Sequence, residues 1–325
     1  MTDAIHMKTL EGKVAVVAGS ARGAGRGIAC MLGEAGATVY CTARSARGNL
    51  VTKKRPETID ETAEMVTEHG GVGIAVRVDH TIPAEVERLF DRIAREQGRL
   101  DVLVNNVNGD AMYQWKSAWK IDLDVGLEIL KAAIYSHIVN VYYAVPLMKR
   151  GLIVEITDGD GFYYRGNLYY DLTKTNAIRL AMDFATDLRK KNIACVAITP
   201  GFLRSEAVLE TLHVTESNWR DAIKRQPMFA ESETPYFVGR AIAALAADPK
   251  VMKKSGRVFN SFELAQEYGF VDVDGRLPKI WEWIAGSKFR YKKIDDGFYA
   301  YFDMDYAFLE KEVKKLRKEI RSASN

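Results

Sequence analysis

The sequence predicts an α/β protein in which helices cover both faces of a doubly wound, mostly parallel sheet. Strand-like and helix-like segments alternate from residue 14 onward. The strand-like segments are too apolar for either of their faces to meet water, which is typical of a parallel sheet between two helical layers. Hydrophobic residues make up 47% of the 325 residues and charged residues 27%, which is enough apolar material for a large core.

Local patterns place each element in turn. Pro83 opens one helix and Gly98 follows its end, as proline at a first turn and glycine past a last turn predict. The predicted strands are residues 14–18, 37–41, 72–78, 100–104, 152–157 and 193–199. The predicted helices are residues 26–35, 56–69, 83–97, 124–149 and 168–190.

A single domain is predicted over residues 8–270, because no linker, repeat or low-complexity segment divides this part of the chain. Residues 271–325 are predicted to form a C-terminal extension that is first aromatic and then helical. The predicted helix carries one apolar stripe: Tyr306, Leu309, Val313, Leu316 and Ile320. Packing of this stripe on its own domain and packing on a second subunit both remain open, and the lysines and arginine around it are predicted to be solvated.

Composition excludes several classes of partner. A net charge of +3 is too small to predict nucleic acid or a membrane surface as a partner. No apolar run reaches the roughly 20 residues of a membrane-spanning helix, and residues 1–10 do not resemble a secretory signal. Cys30, Cys41 and Cys195 have neither a paired arrangement nor metal-ligand spacing, so we expect no metal site and a reducing, cytoplasmic location.

A glycine-rich loop lies directly between the first strand and the first helix. Its glycines are Gly19, Gly23 and Gly25, and Ala21 and Arg22 lie between them. A phosphate binds well at a helix N-terminus, and glycines let a pyrophosphate approach the backbone. Because the strand–turn–helix context is also present, the loop predicts a dinucleotide site on a Rossmann-type fold.

The end of the second strand indicates which dinucleotide binds. A site for NAD(H) normally offers a carboxylate to the ribose 2′-hydroxyl at this point, but the sequence has Arg44 and no acid. A guanidinium suits a 2′-phosphate, and Arg22 is a second candidate cation. NADP(H) is therefore favoured over NAD(H), with the alternative that both arginines are solvated.

Tyr170 and Lys174 lie four residues apart on a predicted helix and hence on one face. A nearby ammonium stabilises a phenolate, so that the tyrosine can exchange a proton with a carbonyl or alcohol oxygen. This pair predicts acid–base chemistry next to the dinucleotide.

These motifs together resemble the short-chain dehydrogenase/reductase family, over residues 10–260. Asp79 and His80 follow the third strand, where the family contacts adenine, and Asn105 begins the family's asparagine motif after the fourth strand. Pro200 and Gly201 match the segment that closes over the nicotinamide. The stretch 255–276 is more particularly similar to the branch that contains dehydrogenase/reductase SDR family member 1. The resemblance implies that Tyr170 is the general acid/base, that Lys174 lowers its pKa and holds the nicotinamide ribose, and that hydride passes between NADP(H) and a carbonyl carbon.

Two positions depart from the family pattern. Asp158 occupies the place of the active-site serine, so either Asp158 acts as a protonated acid, or Thr157 supplies the hydroxyl, or the chemistry differs. The family's helix asparagine falls near Ala133 and not on Asn140, which we do not expect to replace it.

The leading hypothesis is an NADP(H)-dependent enzyme that reduces a small-molecule carbonyl or oxidises an alcohol. An NADP(H)-binding scaffold with little turnover is an alternative, because the serine is missing. Chemistry on a nucleotide-linked or thioester substrate is another. The resemblance also implies a homodimer or homotetramer through helices 124–149 and 168–190. Aromatic residues at 113, 115 and 119, and others in the flap 202–234, indicate a bulky, apolar substrate.

Overall fold

The computed structural model describes residues 8–51, 55–109, 111–161, 164–282, 290–293, 300–303 and positions 311, 314, 315, 317, 318 and 322. Its centre is a seven-stranded parallel sheet with the order β3-β2-β1-β4-β5-β6-β7. The strands are β1 Val14–Ala18, β2 Thr38–Ala43, β3 Val72–Arg77, β4 Val102–Asn105, β5 Gly151–Ile156, β6 Ile193–Thr199 and β7 Val258–Asn260.

Helices cover both faces of this sheet. They are α1 Gly23–Glu34, α2 Ile59–Glu68, α3 Pro83–Gln97, α4 Leu123–Leu130, α5 Ser136–Ala144, α6 Leu168–Asp187, α7 Glu206–Thr211, α8 Pro235–Ala247 and α9 Ser261–Tyr268. Short 3-10 helices are Ala118–Lys120, Val145–Leu147, Arg189–Lys191, Trp219–Lys224, Pro227–Glu231 and Val251–Lys254.

Strand β1 shows why two helical layers are needed. Its residues alternate between the two faces of the sheet, and all five are buried. Ala15 and Val17 pack against α1, α2, α8 and α9, whereas Val14 and Val16 pack against α3, α5 and α6. Each fully buried valine contributes about 1.5–3 kcal/mol relative to an exposed one.

The predicted fold class is confirmed. Residues 14–18 and 193–199 are strands and residues 83–97 are a helix, with the bounds that the sequence predicted. The predicted helix 124–149 is divided, because a π-helical turn, Lys131–Tyr135, separates α4 from α5. Strand β7 was not predicted, since three residues are too few for a pattern to emerge. None of the described helices is long and apolar enough to cross a membrane.

The C-terminal extension begins within packed structure. Ile280 and Trp281 are buried against Phe262, and the carboxylate of buried Asp272 accepts a hydrogen bond from the N–H of Thr234 at 2.8 Å. The compact unit thus continues beyond the boundary that was predicted at residue 270.

Farther along, an antiparallel pair that the sequence analysis did not predict, β8 Arg290–Lys293 and β9 Ala300–Asp303, lies in the aromatic stretch. Lys311, Lys314, Lys315, Arg317 and Lys318 are helical and exposed, whereas the apolar stripe from Tyr306 to Ile320 lies outside the described residues.

Candidate active site

The candidate site lies at the carboxyl ends of β1 and β4. The sheet runs from β1 to β2 and β3 on one side, and from β4 to β5, β6 and β7 on the other. In doubly wound sheets the ligand crevice lies where the winding reverses, which here is between the loops that follow these two strands. The functional residues predicted from the sequence lie on the loops and helices that surround this crevice.

Close backbone packing requires two of the loop glycines. A Cβ on Gly19 would lie 2.7 Å from the carbonyl oxygen of Asn106, and a Cβ on Gly25 would lie 2.1 Å from the carbonyl oxygen of Gly19. The side-chain amide of Asn106 donates to that same Gly19 oxygen at 2.9 Å. The loop after β4 and the N-terminus of α1 therefore leave no room for a side chain at either position.

Gly23 marks an anion site at the N-terminus of α1. Its N–H donates to Oε2 of Glu206 at 2.8 Å, and Nη1 of Arg26 lies 3.9 Å from the other carboxylate oxygen. Free N–H groups and the positive end of the helix dipole favour an anion at such a terminus. The Glu206 carboxylate is a stand-in for a phosphate group, so the loop that contains Ala21 and Arg22 fits a dinucleotide.

Two predicted adenosine contacts lie at the ends of β2 and β3. Arg44 and Asp79 are both half-buried. The carbonyl oxygen of Arg44 accepts a hydrogen bond from Nε of Arg77 at 3.1 Å. Oδ1 of Asp79 accepts from the N–H of Thr81 at 2.9 Å and from its hydroxyl at 2.7 Å. The two residues thus follow the carboxyl ends of the two strands next to β1 in the sheet order, on the side away from β4.

His80 and Asn105 point into the interior instead. The two ring nitrogens of His80 lie 2.9 Å from the hydroxyl of Thr42 and 2.7 Å from Oδ1 of Asn140. Burial lowers the pKa of His80 to about 4, so the ring is neutral. Because both side chains are buried and hydrogen-bonded, a cofactor contact from His80 or Asn105 has to come from the backbone.

A buried network connects these side chains to the loop after β4. Asn140 donates to Asn105 at 2.9 Å, and Asn105 donates to Oε1 of Glu155 at 2.7 Å. Oε2 of Glu155 lies 2.6 Å from Nδ1 of His137, whose Nε2 lies 3.1 Å from the carbonyl oxygen of Val107. A carbonyl only accepts, so Nε2 of His137 carries a proton. The network therefore holds Asn105 and Val107 in position, and no local motif predicts its Glu155–His137 pair.

Tyr170 and Lys174 lie one turn apart on α6 and face the crevice. Asn167 caps this helix, because its Oδ1 accepts from the N–H of Tyr170 at 3.0 Å. The hydroxyl of Tyr170 donates to Oδ2 of Asp158 at 2.6 Å. Nζ of Lys174 donates to Oδ1 of Asn108 at 3.0 Å. The structure therefore brings together Tyr170, Lys174 and Asp158.

Thr157 does not take the place of the missing serine. Its hydroxyl donates to the carbonyl oxygen of Lys174 at 2.7 Å, and the residue is buried. Asp158, rather than Thr157, is the residue that faces the hydroxyl of Tyr170.

The surroundings favour the uncharged forms of Tyr170 and Lys174. Burial raises the pKa of Tyr170 above its ordinary value, and the Asp158 carboxylate adds to this effect. Burial lowers the pKa of Lys174 to about 8, which outweighs the opposite effect of Asp158. The sequence predicted a lowered pKa for Tyr170, and the direction found is the reverse. The physical reason is that a carboxylate next to a buried phenol opposes a second negative charge.

Arg165 is a residue of the site that the sequence analysis missed. It is buried, and Nη1 donates to the Asp171 carboxylate at 3.0 Å and to the Thr175 hydroxyl at 3.1 Å. Nε donates to the carbonyl oxygen of Asp158, and Nη2 to that of Gly161 at 2.8 Å. Its positive charge works against the rise in the pKa of Tyr170. No motif marks a single arginine in a loop, so only the structure reveals it.

The segment Pro200–Gly201 follows β6 and begins the flap. A Cβ on Gly201 would lie 2.7 Å from Oε2 of Glu233, which accepts from the hydroxyl of Ser261 at 2.6 Å. Glu233 is fully buried, and burial raises its pKa to about 8. The backbone of Glu233 also pairs with that of Phe202 at 2.9 Å. A buried carboxyl group thus holds the base of the flap.

Comparisons with known proteins identify the family to which this chain belongs. The family model described as short chain dehydrogenase matches residues 13–213. The chain is 36% identical over 280 residues to Dehydrogenase/reductase SDR family member 1 of Mus musculus, covering 83% of this chain and 86% of the relative. It is 30% identical over 246 residues to 7alpha-hydroxysteroid dehydrogenase of Clostridium sardiniense, covering 74% and 89%.

The chain belongs to the short-chain dehydrogenase/reductase family. The predicted branch, that of Dehydrogenase/reductase SDR family member 1, is confirmed as well. A solved short-chain dehydrogenase of Mycobacterium thermoresistibile shares the fold, with a TM-score of 0.70, 21% identity, and coverage of 84% of this chain and 95% of that one.

The structure explains one departure from the pattern of short-chain dehydrogenases/reductases. Ala133, near which the family's helix asparagine was predicted to fall, is buried in the π-helical turn between α4 and α5. Asn140 is bound to Asn105 and His80, so its amide does not replace the missing group. Among the described residues, Asn108 instead provides the amide that contacts Lys174.

Proposed function

We propose that this protein is an NADP(H)-dependent oxidoreductase that reduces a carbonyl group of a small molecule, or oxidises the corresponding alcohol. The observation that carries this proposal is the placement of the Tyr170 hydroxyl and the Lys174 ammonium on one face of α6, at the crevice beside the glycine loop. Asp158 completes the set, since it contacts the hydroxyl that exchanges the proton.

The proposed cofactor site uses backbone groups at one end and arginines at the other. Gly19, Gly23 and Gly25, with Ala21 between them, hold the pyrophosphate, and Pro200 and Gly201 close over the nicotinamide. Asp79 and the backbones of His80 and Asn105 complete the adenosine side. Arg44 and Arg22 bind the 2′-phosphate, which is supported by the absence of a carboxylate directly after β2. The two arginines and the missing carboxylate therefore favour NADP(H) over NAD(H).

The raised pKa of Tyr170 suits carbonyl reduction. NADPH, when bound, would supply the hydride for the carbonyl carbon. Tyr170 holds its proton at neutral pH, because burial and Asp158 oppose its loss, and gives it to the carbonyl oxygen as negative charge develops there. Lys174, whose pKa is about 8, remains mainly an ammonium at neutral pH and donates to the ribose hydroxyls.

A binding experiment followed by a kinetic one tests this proposal. We expect NADPH to bind more tightly than NADH in a titration of the purified protein. Tyr170→Phe should keep NADPH binding and lose carbonyl reduction by about 100-fold or more, since a general acid contributes that much. Tyr169→Phe, at the neighbouring buried tyrosine, is the matched control and should stay active. Failure of both nucleotides to bind would overturn the cofactor assignment.

The scaffold alternative, NADP(H) binding with little turnover, is favoured by one contact. The hydrogen bond from Tyr170 to Asp158 occupies the hydroxyl that a substrate needs. Tight NADPH binding, with no Tyr170-dependent turnover on a panel of ketones and aldehydes, would favour this alternative. Under it, Asp158→Ser would create reductase activity rather than remove it.

A homodimer or homotetramer is also proposed. Large apolar side chains on α4, α5 and α6 are exposed, which is rare on a free surface. They are Leu123, Leu127, Ile138, Tyr142, Leu168, Leu172 and Met182. Light scattering should give a mass of at least two chains, and Tyr142→Glu should lower it.

A cytoplasmic location is supported by Cys30, Cys41 and Cys195, which are buried and unpaired.

A further inference from the structure

Two aromatic rings flank the phenol of Tyr170. The centroids of the Tyr113 and Trp115 rings each lie 5.6 Å from that of Tyr170, with interplanar angles of 45° and 67°. Yet Tyr113 is 61% exposed and Trp115 is 62% exposed. Exposed aromatic surface next to a reacting hydroxyl is surface that a bound ligand can cover.

The two rings are held although they are exposed. Gln114 lies between them, and its carbonyl oxygen accepts a hydrogen bond from the side-chain amide of Asn167. The other end of that side chain caps α6 at the N–H of Tyr170. One residue therefore fixes both the phenol and the segment that carries the two rings. This arrangement orients the rings before any ligand arrives, which lowers the entropy cost of binding.

Neighbouring residues on the same connection offer no aromatic ring beside Tyr170. Met112 is buried in a cluster that contains Ile121, Ile129 and Tyr170 itself, and it anchors the segment. Trp119 is 83% exposed, and no ring contact joins it to Tyr170 in the described part of the chain. The arrangement of Tyr113 and Trp115 around the phenol is thus specific to those two residues.

Aromatic rings prefer offset or edge contacts at centroid distances of about 4.5–7 Å, and each such contact contributes beyond simple burial. A carbonyl oxygen placed at the hydroxyl of Tyr170 puts the attached group within reach of both rings. A saturated ring of the same size would fill the same space, but it would lack the electrostatic attraction between aromatic rings.

We propose that Tyr113 and Trp115 form an aromatic clamp that selects neutral ketones and aldehydes whose carbonyl carbon carries an aromatic ring. This inference rests on the proposed function. A neutral substrate suits a site of mixed charge. The Asp158 carboxylate contacts Tyr170, whereas Arg165 and Lys174 bind Asp171 and Asn108, and the charge of Arg22 acts on Tyr113.

The test compares two ketones of matched size, acetophenone and cyclohexyl methyl ketone, in NADPH-dependent reduction. The measured quantity is the ratio of their kcat/KM values in wild type, Tyr113→Leu and Trp115→Leu. Comparing the ratio between variants cancels the different intrinsic reactivity of the two ketones. We expect each variant to lower the aromatic preference by about 2- to 12-fold, as expected for the loss of one ring contact. Trp119→Leu is the matched control and should leave the ratio unchanged.

An unchanged ratio in both clamp variants would overturn the inference, as would an equal fall in Trp119→Leu. If wild type reduces neither ketone, calorimetry of each ketone with the NADP⁺ complex replaces the kinetics. Preferential binding of acetophenone that is lost in Trp115→Leu would then support the clamp, while the proposed reductase activity would fail. No preference in binding would overturn the clamp on its own.

Discussion

The two halves of the crevice are built by different means. In the cofactor half, glycines bring backbone against backbone, as Gly19 and Gly25 do beside Asn106. In the substrate half, side chains from irregular segments converge on one phenol, as Asp158 and Trp115 do. Backbone contacts of the first kind are specified by a short stretch of sequence. Side-chain contacts of the second kind depend on how distant segments pack, so they vary more readily with changes in the loops.

The largest expected effect is in the cofactor half. Gly25→Ala places a Cβ 2.1 Å from the carbonyl oxygen of Gly19, and the backbone has to move to relieve this contact. We expect NADPH binding to weaken by about 100-fold or more, since a shift of about 1 Å has costs of that order. Circular dichroism would show whether the fold remains. The control is Gly98→Asn at the left-handed end of α3, where no atom lies within 4 Å of the new Cβ and asparagine tolerates the positive φ. Unchanged affinity for NADPH in Gly25→Ala would mean that the close backbone contact at Gly25 is not needed for cofactor binding.

In the substrate half, Asp158→Asn is expected to change the pH dependence of alcohol oxidation. Oxidation needs the phenolate of Tyr170, and the Asp158 carboxylate raises the pKa of that phenol. Removing the charge should move the rising limb of kcat/KM toward lower pH and increase the rate at pH 8 by about tenfold, which corresponds to about one pKa unit. Asp160→Asn, at an exposed position of the same loop, should leave the profile in place. If the rising limb of the pH profile of kcat/KM does not move in Asp158→Asn, Asp158 has no part in the proton transfer.

The contrast between the two halves also explains which features could be predicted from the sequence and which could not. The fold followed from local patterns, as the bounds of β1 and β6 show, and the Tyr170–Lys174 pair followed from helical spacing. Contacts between distant segments did not follow. Gly23 and Glu206 are 183 residues apart, and nothing in the local sequence around either one indicates the other. The Glu155–His137 pair joins two different elements in the same way. Arg165 was missed for another reason: its partners are close in sequence, but no motif marks a single arginine in a loop.

A smaller effect is expected where the flap touches the cofactor half. The Glu206 carboxylate occupies the N–H of Gly23, so it competes with a phosphate group of the cofactor. Glu206→Gln keeps an acceptor but loses the charge, and it should lower the Kd for NADPH by about fivefold, because a charged hydrogen bond exceeds a neutral one by about 1 kcal/mol. Glu210→Gln, on the same helix but bound to Arg55, is the control. An unchanged or raised Kd would show that the Glu206 carboxylate does not compete with the cofactor for the N–H of Gly23.

The smallest expected effect is on stability, at the base of the flap. The pKa of Glu233 is raised from 4.5 to about 8 in the folded protein, so the unfolded chain loses this proton first as pH rises. Folding is therefore penalised progressively between about pH 4.5 and pH 8. Glu233→Gln stays neutral and should raise Tm by about 6 °C more at pH 9 than at pH 5. Glu282→Gln, at an exposed position, should show no such difference. An equal change in Tm at both pH values would contradict the buried, protonated state of Glu233.

The buried network beneath the site has a consequence for how this chain tolerates change over evolutionary time. Inner members such as Asn105 and Asn140 use both ends of their amides on neighbours, and they connect β2, β4, β5 and α5. A single apolar replacement leaves two neighbours buried without partners, at about 1–3 kcal/mol for each. Compensation requires a second replacement that reverses a donor and an acceptor. These positions should therefore covary among relatives as one block, even though most of them touch neither cofactor nor substrate.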